Sequence, residues 1–137
     1  MKTIDIQQLA QVIRENFPDI AFVYLFGSSQ EGIVKERADI DIAVYYKGDD
    51  IFIRFRIEEQ LEKTIGREIP IDIVELQKTS NFILAFEALR RKLLFVRDEY
   101  FDEYVDFYTL VCRRHEDEIY WMKKRLEYRG YEVQWDC

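Results

Sequence analysis

The strongest constraint on the fold lies in residues 23–45, where two β-like segments are joined through a turn of small residues. The first apolar segment ends at Gly27-Ser28, and after ten intervening residues the second begins with the acidic pair Asp39-x-Asp41. Apolar residues that alternate with polar ones are typical of a half-buried strand. We therefore expect two strands of one sheet, with the acidic pair facing the small-residue turn.

The two aspartates are placed to act together. Side chains alternate between the faces of a strand, so Asp39 and Asp41 share one face while Ile40 and Ile42 enter the core on the other. Two carboxylates on one face lie roughly 7 Å apart along the strand. Oxygen ligands in this arrangement can converge on hard divalent cations.

The turn before the acidic pair suits a phosphate ligand. Gly27 allows a tight turn and a close approach of the backbone to a ligand. Ser28 adds a hydroxyl donor for phosphate oxygens. An ordinary turn is the competing interpretation of Gly-Ser taken alone, and the spaced aspartates are what favour the ligand site.

A third acid lies in a later β-like segment, residues 69–75. Ile71 and Ile73 share one face there, and Asp72 projects from the other. If this segment pairs with the strand that carries Asp39 and Asp41, all three carboxylates emerge together. Three carboxylates are able to hold two metal ions about 3.5–4 Å apart, an arrangement that supports in-line phosphoryl or nucleotidyl transfer. The alternative is three ordinary surface carboxylates.

Together these features resemble the signature of the DNA polymerase β-like nucleotidyltransferase superfamily. The segments FPDIAFVYLFGSS, ADIDIAVYY and GREIPIDIVEL are similar to those of the minimal nucleotidyltransferase (MNT) proteins, over about residues 1–98. The resemblance implies an α/β fold, a small mixed sheet flanked by helices, with a long C-terminal helix. We expect one domain over residues 1–137, with a core of about 1–98 and a helix of about 98–129.

The resemblance also implies an activity, the transfer of AMP from ATP to a hydroxyl with release of pyrophosphate. Two Mg²⁺ ions would be held by Asp39 and Asp41, and Asp72 would complete the second metal site and help to deprotonate the acceptor. The nucleotide-binding residues would be Gly27, Ser28 and Ser29. In the MNT family the acceptor is a tyrosine of a HEPN-type ribonuclease toxin, which implies a hetero-oligomer in which this chain is the antitoxin.

The phosphate turn departs from the family pattern at one position. Family members often have an arginine before the second glycine, whereas this chain has Glu31-Gly32. A carboxylate facing the site would repel phosphate, and Lys35 or Arg37 are candidates to compensate. Two other functions therefore remain open: nucleotide transfer to a small molecule such as an antibiotic, and a catalytically degraded module that neutralises a partner by binding alone.

The composition limits the classes of partner that we expect this chain to bind. The formal net charge is −7 and the sequence pI is about 4.8, which disfavours direct binding to a nucleic-acid backbone. No apolar run approaches the length of about 18 residues that a membrane helix requires, so we expect a cytoplasmic protein with no membrane contact. The two cysteines, Cys112 and Cys137, form no C-x-x-C pair, and we expect both to be reduced.

The other periodic segments complete the expected fold. Helices are predicted over residues 3–17, 51–65 and 80–90, with a short strand over 93–96. Asp50 is the candidate N-cap of the second helix, and Thr79 or Ser80 that of the third.

The long C-terminal helix has more apolar residues than one face requires. The predicted stripe is Phe101, Tyr104, Val105, Tyr108, Val111, Cys112, Ile119, Met122 and Leu126. The residues outside it are Tyr100, Phe107, Leu110, Tyr120 and Trp121. This surplus has two interpretations, a surface for a partner or second subunit, and a helix that wraps the small sheet.

Overall fold

The computed structural model describes residues 2–27, 32–34 and 39–130, which contain both strands and helices. The strands are β1 (Lys2–Thr3), β2 (Ile20–Phe26), β3 (Ile33–Val34), β4 (Ile40–Tyr46), β5 (Ile71–Glu75) and β6 (Lys92–Val96). The helices are α1 (Ile6–Asn16), α2 (Ile53–Ile65), α3 (Phe82–Leu89) and α4 (Phe101–Tyr128). Short 3-10 turns occupy Leu76–Lys78 and Asp98–Tyr100.

A four-stranded mixed sheet lies at the centre, in the order β5-β4-β2-β6. Strand β2 runs antiparallel to β4 and β6, and β4 runs parallel to β5. Strands β1 and β3 form a separate antiparallel pair. The predicted α/β class, with a small mixed sheet and a long C-terminal helix, is confirmed.

One face of the sheet is covered by α1 and α2. The isoleucines of β4 and β5 that alternate with the aspartates, including Ile40, Ile42 and Ile73, are fully or almost fully buried there. They pack with Leu9 of α1 and Ile57 of α2. The alternation read from the sequence therefore assigns the apolar side of these strands correctly.

The opposite face is covered by α3 and α4. Its core contains Phe22 and Tyr24 of β2, together with Phe107 of α4. The hydroxyls of Tyr24 and Tyr104 are 2.8 Å apart and share a hydrogen bond. Burial, and then the hydrogen bond to Tyr104, raise the pKa of Tyr24, so the Tyr24 hydroxyl remains neutral.

Arg97 fixes the end of α1 to the sheet. Its Nε donates to the carbonyl of Ile20 at 2.7 Å, and its Nη2 donates to the carbonyls of Arg14 and Phe17 at 2.5 and 2.9 Å. The guanidinium also lies over the ring of Phe95. A cation at the C-terminal end of a helix satisfies carbonyls that have no partner within the helix.

The helix caps differ from those predicted. The N-cap of α3 is Asn81, whose side chain accepts from the backbone N–H of Leu84 at 3.1 Å, so the prediction of Thr79 or Ser80 was wrong. The N-cap of α2 is Phe52. The side chain of Asp50 instead accepts a hydrogen bond from the N–H of Phe52 at 2.9 Å, and Phe52 is the residue directly before the helix begins.

The packed face of α4 is rotated from the predicted stripe. Phe107, which the prediction placed outside the stripe, is buried together with Val111. Phe101, Val105 and Met122, which it placed inside, are exposed. The helix contacts the sheet only along its first half, so a stripe averaged over the whole helix gave the wrong orientation.

The one histidine has no part in the acidic site. His115 stacks on Phe86 of α3, with ring centroids 3.7 Å apart. Cys112 is half-buried on α4, and Cys137 lies outside the described residues. In the part of the chain that the structure describes, none of the helices is long and apolar enough to span a bilayer.

Candidate functional site

The three predicted acids meet at the end of the sheet where β2 stops and β4 and β5 start. Asp41 lies opposite Phe26, the last residue of β2. On its other side Asp41 is in register with Asp72 of β5. Adjacent strands are about 4.8 Å apart, so the Asp41 and Asp72 carboxylates are direct neighbours.

Asp39 completes the acidic cluster from just before β4. Because it precedes Asp41 by two residues, the two side chains project from the same face. Asp39 and Asp72 are exposed, and Asp41 is half-buried between them and β2. The isoleucines on the opposite face fix this orientation, since a shift of one residue would put every carboxylate into the core.

Gly27 closes the site on the side of β2. Its φ is +77°, a conformation that favours glycine. A Cβ at this position would overlap Oδ2 of Asp41 and would lie 3.3 Å from its Cγ. The turn backbone therefore packs directly against the central carboxylate, where a side chain would displace it.

The electrostatic environment of Asp41 is unfavourable for its negative charge. Burial, followed by the charges of Asp72 and Asp39, raises the pKa of Asp41 above its ordinary value of 3.8. A raised carboxyl pKa means that ionisation costs more free energy in the folded chain than in the unfolded one. The folded state is thus favoured while Asp41 is protonated, and loses stability as the pH rises from the unfolded pKa through the folded pKa.

The donor set fits divalent cations. Hard carboxylate oxygens are the ligands that Mg²⁺ takes in proteins, and a cation would remove the repulsion that raises the pKa of Asp41. Among the described residues, no three acidic, histidine or cysteine side chains already lie close enough to enclose an ion. The three aspartates would have to draw together by side-chain rotation, which the exposed positions of Asp39 and Asp72 allow.

Two segments of the predicted site, residues 28–31 and 35–38, lie outside the residues that the structure describes. These segments include Ser28, Ser29 and Glu31, and also Lys35 and Arg37.

Gly32 has φ +84°, and its carbonyl accepts from the N–H of Ile4 at 2.8 Å. The small β1–β3 pair, which was not predicted from the sequence, begins directly after Gly32 and fixes the position of that residue.

Comparison with known proteins agrees with this geometry. The family model described as "Polymerase beta, Nucleotidyltransferase" matches residues 7–100, which include β2, β4 and β5 with their aspartates. The chain belongs to this nucleotidyltransferase family. The match covers the sheet and the first three helices, so the end of the sheet described above corresponds to the part of the chain that defines the family.

One relative of this nucleotidyltransferase is similar in sequence over part of its length. The protein adenylyltransferase MntA of Shewanella oneidensis is 27% identical over 84 residues, which are 61% of this chain and 59% of MntA. The alignment therefore spans less than two thirds of that relative.

Solved structures share the fold. A crystal structure of a toxin-antitoxin with AMP-PNP has a TM-score of 0.67 at 21% identity, and covers 91% of this chain and 94% of the other. A structure of the tri-AMPylated Shewanella oneidensis HEPN toxin in complex with MNT antitoxin has a TM-score of 0.58 at 22% identity, and covers 89% and 93%. At these identities the likeness concerns the fold alone.

One group of charged residues lies near this end of the sheet, and its position was not predicted from the sequence. Arg90, Arg91 and Lys92 form the turn that enters β6, and Lys92 lies opposite Leu25, two residues before Gly27. The run of three cations is visible in the sequence. Its position depends on the register between β2 and β6, which a single sequence does not give.

Proposed function

We propose that this chain is a Mg²⁺-dependent protein adenylyltransferase that transfers AMP from ATP to a tyrosine hydroxyl of a HEPN-type ribonuclease toxin. In this proposal the chain is the antitoxin of a cytoplasmic toxin–antitoxin pair, and it acts within a hetero-oligomer. The domain is the whole of residues 1–137, with α4 as its C-terminal helix.

The observation that carries the proposal is the register at the open end of the sheet. Asp41 is flanked by Asp72 on β5 and by Phe26 on β2, and Gly27 packs against its carboxylate. Three acids that share one face beside a turn of positive φ match what nucleotidyl transfer requires, namely carboxylates for metal ions and a close backbone approach for phosphates.

Each residue then has a role. Asp39 and Asp41 would hold two Mg²⁺ ions, whose charge would offset that of the triphosphate and lower the pKa of the acceptor hydroxyl. Asp72 would complete the second metal site and take the hydroxyl proton. The backbone at Gly27 and the hydroxyls of Ser28 and Ser29 orient the phosphates.

The chemistry is an in-line displacement. The acceptor oxygen forms a bond to the α-phosphorus, and the bond from that phosphorus to the oxygen bridging the β-phosphate breaks. Pyrophosphate leaves, and the hydroxyl proton passes to Asp72. Alignment and charge neutralisation account for most of the acceleration in such a site.

The relatives support the choice of acceptor. MntA is named a protein adenylyltransferase, and similar folds occur in complexes titled as a toxin-antitoxin with AMP-PNP and as a tri-AMPylated HEPN toxin with MNT antitoxin. A protein acceptor also agrees with the exposed aromatic residues Trp121 and Tyr128 on α4, which are 62% and 93% exposed.

The test is co-expression with a HEPN toxin, followed by mass spectrometry of the toxin. Wild type should add AMP to a tyrosine of the toxin and restore growth. Asp39→Asn with Asp41→Asn should abolish both. The control is Asp19→Asn with Asp49→Asn, which removes two exposed carboxylates at the opposite end of the sheet, where the carbonyl of Asp19 accepts from the N–H of Lys47.

Two outcomes would refute the proposal. If the Asp39/Asp41 variant still restores growth while the toxin remains unmodified in every case, the chain neutralises its partner by contact alone. If AMP is never added to the toxin but is added to an aminoglycoside that is incubated with the chain and ATP, the acceptor is a small molecule.

A further inference from the structure

The second half of α4 presents one exposed side, and we refer to it as the distal face. Its residues lie next to one another or three to four positions apart, so they share one side of the helix. All of them are exposed and line a single cavity beside the start of α3: Arg114, Asp117, Glu118, Trp121, Met122 and Arg125. The distal face continues the side on which Val111 is buried, at the point where the helix has passed the sheet.

Apolar surface lies at the centre of the distal face. Trp121 is 62% exposed and Met122 45%. Ile83 of α3, 54% exposed, lines the same cavity, and Tyr128, 93% exposed, follows Trp121 by two helical turns. These four side chains expose roughly 500 Å² together. With the charged residues around them they approach the area of about 800 Å² that a standard interface buries on each partner.

Charges of opposite sign lie on the two sides of Trp121. Asp117 and Glu118 precede it by four and three residues. Lys124 and Arg125 follow it by three and four residues. Read from either end, the order of charges is therefore the same with the signs exchanged. A surface with this property is complementary to an inverted copy of itself.

Contacts within the chain leave these charges able to pair with a second molecule. In the part of the chain that the structure describes, Glu118 and Arg125 take part in no salt bridge. Lys124 pairs with Glu127 of the same helix at 3.7 Å. Exposed ion pairs of this kind are weak, so Lys124 is able to exchange its partner.

An antiparallel second copy of α4 matches the order of the charges. If a two-fold axis passes near Trp121, residues equally far before and after it meet across the interface. Each residue advances about 1.5 Å along a helix, so Glu118 and the partner's Arg125 are offset by only about 1.5 Å. Asp117 and the partner's Lys124 are offset by the same amount. Packed helices have axes about 8–10 Å apart, which these long side chains span.

Other arrangements fit the distal face less well. A parallel copy would place Glu118 against the partner's Glu118 and Arg125 against the partner's Arg125, and like charges repel. Exposed aromatic residues alone would suit a toxin as well as a second copy. A toxin, however, does not require that acids and bases be equally spaced about Trp121. A two-fold interface does, because it uses the same surface on both subunits.

We propose that the distal face is a homodimer interface, in which α4 packs antiparallel to α4 of a second copy about a two-fold axis at Trp121. The inference goes beyond the proposed function, because it concerns the assembly of this chain with itself. Ser80, which lines the same cavity, follows the C-terminal end of β5, whereas Asp72 lies near the N-terminal end of that strand. The interface is therefore separate from the acidic cluster.

The test is sedimentation equilibrium of the full chain over a range of concentrations. Wild type should form a reversible dimer. Glu118→Arg would put cations opposite each other at two symmetric contacts, so the dissociation constant should rise by about tenfold or more. Glu118→Arg combined with Arg125→Glu restores opposite charges at both contacts. The dissociation constant of this charge swap should return to within about threefold of the wild-type value.

Glu116→Arg is the matched control, because it makes the same charge change two residues away. Two residues correspond to a rotation of about 200° around a helix, so Glu116 projects from the side opposite Glu118. Glu116 is exposed. This variant should dimerise as wild type does. Thermal unfolding of each variant shows whether the fold is retained.

Three results would overturn the inference. The first is a wild-type chain that remains monomeric from micromolar to submillimolar concentration. The second is a dimer whose dissociation constant is unchanged in Glu118→Arg or is not restored by the charge swap. The third is a monomeric wild type whose binding to a HEPN toxin is weakened by Glu118→Arg, which would assign the distal face to the toxin. Sedimentation does not depend on activity, so failure of AMP transfer leaves this test unaffected.

Discussion

Replacing Gly27 by alanine tests how closely the phosphate turn and the central carboxylate are fitted together. The Cβ of alanine would overlap Oδ2 of Asp41. The clash cannot be relieved by the backbone without cost, because Gly27 has φ +77° at the end of β2. Asp41 is the part that moves, since the overlapping atom is the end of its side chain.

The substitution has two separable effects. The left-handed backbone costs an L-residue about 1–2 kcal/mol, which should appear as a lower free energy of unfolding. Displacement of Asp41 should appear in the rate, because a misplacement of about 1 Å in a reacting site costs about a hundredfold. Gly27→Ala should therefore fold, with slightly lower stability, and be nearly inactive.

Gly66 provides the matched control. It has φ +90° at the end of α2, and a Cβ there would meet nothing within 4 Å. Gly66→Ala should lose about 1–3 kcal/mol of stability through backbone strain, and should retain activity. Urea unfolding measures the first quantity, and transfer of label from ATP measures the second. If Gly27→Ala is as active as Gly66→Ala, the argument that Gly27 positions Asp41 is refuted.

Three other predictions concern single contacts. Asp41→Asn should raise the melting temperature at pH 7 without metal, because burial and the charges of neighbouring carboxylates raise the pKa of Asp41. The gain should disappear below pH 3.8, where Asp41 of the wild type is protonated. An equal gain in melting temperature at both pH values would contradict this. Arg97→Met should lower the free energy of unfolding in urea by about 2–3 kcal/mol, since three carbonyls lose a charged donor. As a control, Arg67→Met removes an exposed ion pair and should lower it by about 0.5 kcal/mol or less. Tyr24→Phe should cost about 1 kcal/mol, and a double-mutant cycle with Tyr104→Phe should show coupling; strictly additive costs would show that the shared hydrogen bond contributes nothing.

The sequence alone was sufficient to predict the parts of the fold that depend on the alternation of apolar and polar residues along a strand. Asp39 and Asp41 could be assigned to one face because the isoleucines between and after them require the other. The same alternation in residues 69–75 placed Asp72 on that face once β5 paired with β4. Period-two patterning is a local property, so a single sequence reveals it.

Contacts between distant segments could not be predicted in this way. The β1–β3 pair contains only two residues on each side, too few to give a periodic signal. Arg97 contacts carbonyls that are 77 to 83 residues away in the chain. The position of Arg97 in space depends on the packing of α1 against β2 and β6, which local patterns do not specify.

The orientation of α4 illustrates a different limit. A helix of 28 residues with apolar residues on several sides has no single stripe. The buried positions Phe107 and Val111 are set by where the sheet lies beneath the first half of the helix. Met122 belongs to the distal half and is exposed, and its inclusion moved the predicted stripe away from the packed face.

Adenylyl transfer by the carboxylates at the end of the sheet can be measured by incubating the purified chain and its HEPN partner with Mg²⁺ and ATP labelled at either the α- or the γ-phosphate. We expect label from the α-position to become attached to the partner, label from the γ-position to be released as pyrophosphate, and Asp41→Asn to abolish the transfer. Attachment of the γ-label, or undiminished transfer of the α-label by Asp41→Asn, would contradict this expectation.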